Sequence, residues 1–308
     1  MKYLVLLFLM APDLFSNSPT YLFLRSDISA RAAALGGSFV SAKNDPNGIF
    51  YNPSLISTID KEKFSFGYSS YLTDLKTTHF SFNKNYDSLN DFGLGIIYNS
   101  YGDFIEKDEF NNELGIFSAS DLVLITSYSY KLEENLFVGV SSKFINSTIA
   151  NYKSSAIAVD CGIYYFLPGS NPLTFGASIQ NFGKQIKSYN TTKEDLPFDI
   201  KIGMTIKPEH LPMDINLNFN KINEDQKNDL DRLRYFSIGG EFTMSASLKF
   251  RFGYNNEKRK DLKLGTSSDM AGFSFGFGFA KETYIIDYAY SSLGKIGEVN
   301  RINLSLIF

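Results

Sequence analysis

From residue 63 onwards, apolar and polar side chains alternate one by one in run after run. Phe64, Phe66 and Tyr68 interleave with Ser65, Gly67 and Ser69, and Phe92, Leu94, Ile96 and Tyr98 with Gly93, Gly95, Ile97 and Asn99. Phe198, Ile200, Ile202, Met204 and Ile206 stand against Asp199, Lys201, Gly203 and Thr205, and Ile215, Leu217 and Phe219 against Asp214, Asn216, Asn218 and Asn220. Leu248, Phe250, Phe252 and Tyr254 oppose Lys249, Arg251 and Gly253, while Phe273, Phe275, Phe277 and Phe279 oppose Ser274, Gly276, Gly278 and Ala280. Successive side chains of an extended chain point to opposite faces, so each run predicts a strand with one apolar and one polar or sparse face. Similar stretches lie near 76–84, 119–131, 135–147, 154–166, 173–182, 234–243, 284–290 and at the C-terminus. The total is about fourteen strands, mostly of the ~9–11 residues that a tilted membrane strand needs.

Alternation alone also fits a soluble sandwich. The connections separate the two. Gaps near 131–135, 167–172, 208–212, 243–246 and 280–283 are short, whereas 102–118, 147–154, 183–197, 222–234, 255–268 and 291–298 are mostly longer and more polar. Short turns on one rim and long loops on the other characterise an outer-membrane barrel. A hairpin near Thr73-Asp74 departs from the trend. The reading is therefore an all-β, 14-stranded antiparallel transmembrane barrel over 63–308. Lys201, Asp214, Glu241, Lys249 and Arg251 sit mid-strand, where facing lipid would cost ~2–4 kcal/mol for Arg or Lys, so they are expected to face the lumen. That lumen must be hydrated or filled by a polar plug, and the Gly and Ser opposite the Phe ladder at 273–279 leave it room.

The chain ends with Ile302, Leu304, Leu306 and Phe308 on one side of a final strand. An apolar stripe closing on an aromatic residue suits a barrel-assembly signal carried by Leu304, Leu306 and Phe308. At the other end, Lys2, the apolar run Leu4 to Ala11 and the small residues Ser16 and Ser18 read as a signal peptide over 1–16. Its apolar core is too short to cross a membrane as a helix, and no later run reaches the ~18–20 residues required. Residues 17–62 do not read as strand. Ser29 can cap a short helix through Arg31 to Leu35 that Gly36 and Gly37 would end, followed by the turn cluster at Asp45 and a compact element from Tyr51 to Ile56. This segment is either a plug in the lumen or a cap on its periplasmic side.

Composition agrees with broad sheets: 29 Phe, 19 Tyr and 23 Gly, with no Trp. A net charge of -3 and a pI near 5.6 give no nucleic-acid footprint. The lone Cys161 reads as a small hydrophobe. His79 and His210 lack any nucleophile pattern around them, Gly93-Leu94-Gly95 lacks the context of a phosphate loop, and the acidic stretch from Glu224 to Asp231 lacks the Gly and terminal Glu of a calcium loop. No catalytic constellation, cofactor site or metal site is expected.

Ala30-Arg31-Ala32-Ala33-Ala34-Leu35-Gly36-Gly37-Ser38-Phe39, the Asp45 turn, Asn52-Pro53, Gln180-Asn181-Phe182-Gly183-Lys184 and Ile238-Gly239-Gly240-Glu241-Phe242 resemble, in order, the PorV/PorQ family, which is related to FadL-type barrels. Ser54 stands where many relatives have Ala. The resemblance makes Arg31, Gly36, Gly37, Asp45, Asn52 and Pro53 the family's N-terminal motif. It implies a non-enzymatic part in the type IX secretion system, in the outer membrane of a Gram-negative, Bacteroidota-type bacterium. Implied partners are lipid and lipopolysaccharide, a PorZ-like surface protein and the C-terminal domains of secreted cargo. Among the long loops, the aromatic residues Phe104, Phe110 and Tyr189 are candidate partner contacts. Two other readings stay open: a FadL-like transporter of hydrophobic small molecules, and a soluble exported sandwich.

Overall fold

The computed structural model describes residues 19–71, 74–224, 234–262 and 270–308. The signal-peptide reading over 1–16 and most of the acidic stretch near 224–231 lie outside them. Fourteen strands follow in order: β1 Lys63–Ser70, β2 Lys76–Asn85, β3 Asn90–Lys107, β4 Glu113–Glu133, β5 Leu136–Ile149, β6 Tyr152–Leu167 and β7 Leu173–Lys187. The second half is β8 Asp199–Ile206, β9 Met213–Phe219, β10 Phe236–Thr243, β11 Leu248–Asn255, β12 Phe273–Ala280, β13 Tyr284–Ser292 and β14 Glu298–Ile307. Each pairs antiparallel with its sequence neighbours, and β1 pairs with β14 from Lys63↔Ile307 to Ser70↔Asn300, which closes the barrel.

The faces fall as the alternation predicts. Phe275 is 44% exposed while its neighbour Ser274 is 5% exposed, and the outward residues Phe252, Phe275 and Tyr290 continue one another across β11, β12 and β13. A belt of Phe, Leu and Ile on the outside of a closed sheet is what hydrocarbon requires, because closure leaves no backbone edge unpaired. The water-soluble sandwich is thereby excluded. Cys161 lies on the same outer surface. Glu241 and Arg251 point inward and are buried, as expected of charges that cannot face lipid.

The rim bearing the short connections, where β1 starts and β14 ends, is termed the inner rim; the opposite one is the outer rim. Two expectations for the outer rim need correction. Residues 147–154 form no long loop, because β5 and β6 pair through to Ile149↔Tyr152 and leave only a tight turn between them. Residues 102–118 are not an irregular loop. β3 and β4 continue past their neighbours: β2 stops pairing at Lys76↔Ser100 and β5 at Ala119↔Ile149, but β3 and β4 pair on to Lys107↔Glu113. A two-stranded hairpin therefore rises above the wall. A register shift between Ser100 and Asp103 marks its base, where Gly102 takes φ 78°. This bulge increases the local twist and re-aims the hairpin relative to the wall.

Residues 19–62 fill the lumen, which settles plug over cap. The segment holds a 3-10 turn at Leu22–Arg25, the helix α1 at Ala30–Ala34, and 3-10 turns at Pro46–Phe50 and Pro53–Thr58. Ser29 caps α1 by accepting the Ala32 N–H, Asp45 accepts from Asn47 N–H, and Asn52 accepts from Ser54 N–H. Gly36 and Gly37, at φ 67° and 84°, end α1 as the sequence suggested. A second helix, α2, spans Asn256–Leu262 on the outer rim.

Candidate functional site

The candidate residues fall in two regions: the seat of the plug and the outer rim. The seat begins with glycine. A Cβ on Gly253 would lie 2.1 Å from the Gly36 nitrogen, and one on Gly276 would lie 2.5 Å from the Ala34 Cβ. The sparse inner faces of β11 and β12 thus let α1 lie directly on the wall, the close approach for which a strand gives up its side chains. The small residues Ala30, Ala33 and Ala34 pack there against Ala289.

Hydrogen bonds then tie the plug to the wall on every side. Ala30 N–H donates to Asn303 Oδ1 of β14 at 2.8 Å, and Asn83 Nδ2 of β2 donates to the Pro46 carbonyl at 3.0 Å. Asn52 Nδ2 donates to the Ile163 carbonyl of β6 at 3.1 Å, and Gln180 Nε2 of β7 donates to the Tyr51 carbonyl at 2.6 Å. Asn255 Nδ2 of β11 donates to the Gly36 carbonyl at 3.1 Å. These bonds satisfy carbonyls and amides that irregular buried backbone would otherwise leave orphaned, and they make the plug part of the fold.

Charge closes the arrangement. Arg31 of α1 meets Glu241 of β10 through Nε at 2.7 Å and NH2 at 3.1 Å, and its NH1 reaches Asp45 at 3.4 Å. Glu241 also accepts from Lys249 Nζ and Arg251 Nε, each at 2.7 Å, and Arg251 reaches Asp287 at 2.6 Å. Arg31, Lys249 and Arg251 therefore balance Asp45, Glu241 and Asp287 one for one. Burying Glu241, Arg251 and Asp287 is tolerable only because each is paired, while Lys249 keeps part of its side chain exposed. The motif residues Arg31, Gly36, Gly37, Asp45, Asn52 and Pro53 all fall inside this plug and its seat.

The opposite side of the lumen is chemically different. Ile97, Val123, Ile125 and Ile145 of β3, β4 and β5 point inward and pack with Phe39, Ile49, Phe50 and Ile56 of the plug. The lumen, expected to be hydrated or filled by a polar plug, is lined on two different terms: one side is salt-bridged, the other is an ordinary apolar core. The sequence signal was Ile97, an apolar residue on the sparse face of β3, and the equivalent Val123, Ile125 and Ile145.

Cavities lie beside the plug at either rim. One of about 330 Å3 opens at the outer rim, lined by Asp27 and Gly37 of the plug, by Lys201 and Arg301 of the wall and by Lys258 of α2. Another, about 90 Å3, lies near the inner rim beside Arg31, Ser41, Lys43, Asp214 and Glu241. The plug contributes to both linings and stands between them.

At the outer rim, Phe104 and Phe110 are exposed, Phe110 to 77%. Phe104 stacks on Phe117 across the hairpin at 5.3 Å between ring centroids. Phe110 crowns a tip turn in which Asp108 accepts from the Phe110 and Asn112 N–H groups at 2.9 and 2.8 Å. Tyr189 differs from expectation: it is half-buried, and its hydroxyl donates to Ser147 Oγ, so it braces the loop and presents no exposed tip. At the inner rim Leu304 faces lipid, and Phe308 is exposed and stacks on Phe64 at 5.2 Å. The rim thus joins Phe104 and Phe110 on one hairpin, while Tyr189 stays with the wall.

Comparison with protein-family models found no match, nor did comparison with curated proteins. Solved structures do match along nearly the whole chain. The Pseudomonas putida toluene transporter TodX is similar at TM-score 0.60 and 12% identity, over 91% of this chain and 97% of that one. The CymD monoaromatic hydrocarbon channel matches at TM-score 0.57 and 11% identity, over 91% and 96%. A Pseudomonas aeruginosa FadL homologue matches at TM-score 0.52 and 11% identity, over 91% and 98%. At these identities the likeness is one of architecture, and the chain has the fold of the FadL-type outer-membrane barrels.

Proposed function

We propose that this chain is a non-enzymatic outer-membrane barrel that works at its outer rim, docking a surface or secreted protein as the PorV/PorQ resemblance implies. The observation that carries the reading is the β3–β4 hairpin. It raises Phe104, Ile105, Phe110, Leu114 and Ile116, all exposed, above a barrel whose lumen is filled. Apolar side chains clustered outside the membrane belt are a recognition surface by default. The test is co-purification from detergent-solubilised outer membranes of the tagged full chain and of a version in which 103–118 is replaced by a short Gly-Ser turn. Cell-surface proteins of a secretion assembly are expected with the first and lost with the second. A full chain that purifies alone overturns the reading.

A second reading, transport of hydrophobic small molecules, is favoured by a separate observation. The solved structures of the same architecture include a toluene transporter and a monoaromatic hydrocarbon channel. The likeness supports this reading more directly than it supports secretion. The apolar side of the lumen would suit such a cargo if the plug shifted; the bonded, charge-balanced seat of Arg31 opposes that shift. Uptake of labelled toluene by cells dependent on this chain supports transport, and uptake equal to that of the empty strain removes it.

A further inference from the structure

Above Gly102, against which Asp74 packs, the β3–β4 hairpin carries an edge that no described strand pairs with. β2 stops pairing at Ser100, so the edge of β3 from Asp103 to Lys107 faces no strand among the described residues. A two-stranded ribbon standing alone in water is marginally stable, and an open edge is a template for a further strand. Each face of this ribbon carries an apolar pair beside an acidic residue: Phe104 with Phe117 beside Glu106 on one, and Ile105 with Ile116 beside Asp103 on the other.

Charge narrows what can add there. Asp103, Glu106, Asp108, Glu109 and Glu113 face a single cation, Lys107, between residues 103 and 118. Lys107 already sits opposite Glu113 across the hairpin. Asp103 lies opposite Ser118 and Glu106 opposite Gly115, so neither has a cationic cross-strand neighbour, and nothing lies within 4 Å of where a Gly115 side chain would begin. Acidic side chains also disfavour contact with an anionic lipid or lipopolysaccharide surface, which turns the hairpin towards protein.

Resting on the docking reading above, we propose that the partner adds a strand to the β3 edge, and that this strand reads basic–apolar–apolar–basic. Its cations would lie against Asp103 and Glu106, and its two apolar residues against Phe104 and Ile105. Opposite charges and apolar pairs directly across a ladder are the arrangements that stabilise a sheet, and main-chain hydrogen bonds supply the rest. The four-residue pattern reads the same in both directions, so it fits either strand orientation.

The test uses the full chain in detergent micelles and blocked, fluorescent peptides built on Thr-Lys-Val-Val-Lys-Thr and Thr-Glu-Val-Val-Glu-Thr. The lysine peptide should bind, slow amide exchange at 103–107, and weaken about tenfold or more when salt rises from ~0.05 to ~0.5 M. The double variant Asp103→Lys with Glu106→Lys, exposed positions that leave the barrel unchanged, should reverse the preference between the two peptides. Methylating alternate peptide nitrogens on the docking edge should abolish binding. Equal binding of both peptides, binding that survives methylation, or protection of 103–107 by lipopolysaccharide-containing nanodiscs without peptide would each overturn the inference. Partner co-purification that persists with the double variant would leave the docking reading standing while this one falls.

Discussion

Arg31 reaches from the plug to the wall and clasps Glu241 in a two-pronged contact at 2.7 and 3.1 Å. Glu241 is shared with Lys249 and Arg251, so the plug supplies one of the three cations around one buried carboxylate. Replacing Arg31 with Met leaves Asp45, Glu241 and Asp287 against two cations. Breaking one arm of a buried ionic group typically costs ~3–5 kcal/mol. The expected outcome is faster amide exchange across residues 28–60 with the strands unaffected, and Arg31→Lys should restore part of the protection because it keeps the charge and loses the fork.

The glycine seat gives an independent prediction. Gly253→Val places a branched side chain where the Gly36 nitrogen now sits 2.1 Å from the first carbon. The barrel should still close, since β11 keeps both neighbours, but the plug should be displaced at a cost of about 1–3 kcal/mol. A cysteine introduced at Ser38, now buried, would then become reactive towards a water-soluble thiol reagent; unchanged shielding would contradict this seat.

The lipid face can be tested at Phe277, outward on β12 between Phe250 and Tyr288. Phe277→Arg should destabilise folding into lipid vesicles by ~2–4 kcal/mol, with the larger value expected near the midplane. The exposed Lys107→Ala should change the same measurement by less than ~0.5 kcal/mol.

The closing aromatic makes a kinetic prediction. Phe308 is exposed beside Phe64, so little of the folded barrel depends on it. Removing it should lower the amount of barrel assembled in cells while leaving refolding into detergent nearly unchanged. Equal loss in both settings would make Phe308 a packing residue and remove its role as an assembly signal.

The hairpin tip should respond to acid. The Asn112 side-chain amide and the Asn112 and Phe110 backbone N–H groups hold the Asp108 carboxyl below the ordinary carboxylate range. A depressed carboxyl stabilises the turn above its unfolded value, and the effect is lost as pH falls through the folded one. Amide exchange at 108–112 is therefore expected to be steady from neutral pH down to about 5 and to quicken, after correction for intrinsic exchange, below about 4. Asp108→Ala should show the quickened state at every pH.

The strands were legible because membrane and lumen enforce different chemistry on alternate residues, and that constraint writes itself into the sequence at Phe273–Phe279 as clearly as at Leu304. Where neither face touches lipid, the signal vanishes. Asp103, Glu106 and Lys107 interrupt the pattern because water bathes both faces of the hairpin, so 102–118 reads as a loop although it pairs as strands. The position of the plug was hidden for another reason. Ser29, Asp45 and Asn52 cap their turns by local bonds that would form equally well outside the lumen. What places the segment inside is complementarity of Gly36 with Gly253, Ala34 with Gly276 and Arg31 with Glu241, each pair far apart in the chain. Tyr189 was misplaced because nothing nearby in sequence announces Ser147 as its acceptor.

Thr20 N–H donates to the Asp195 carbonyl on the outer rim, while Lys63 begins β1 on the inner one. The polypeptide between them passes through the cylinder lengthwise, like a cord through a bead. Once β1 and β14 have zipped together, that cord can be withdrawn only end-on. The order of events during biogenesis follows: laying down residues 20–62 must precede the last zipping step, or the finished ring must be threaded by a free end.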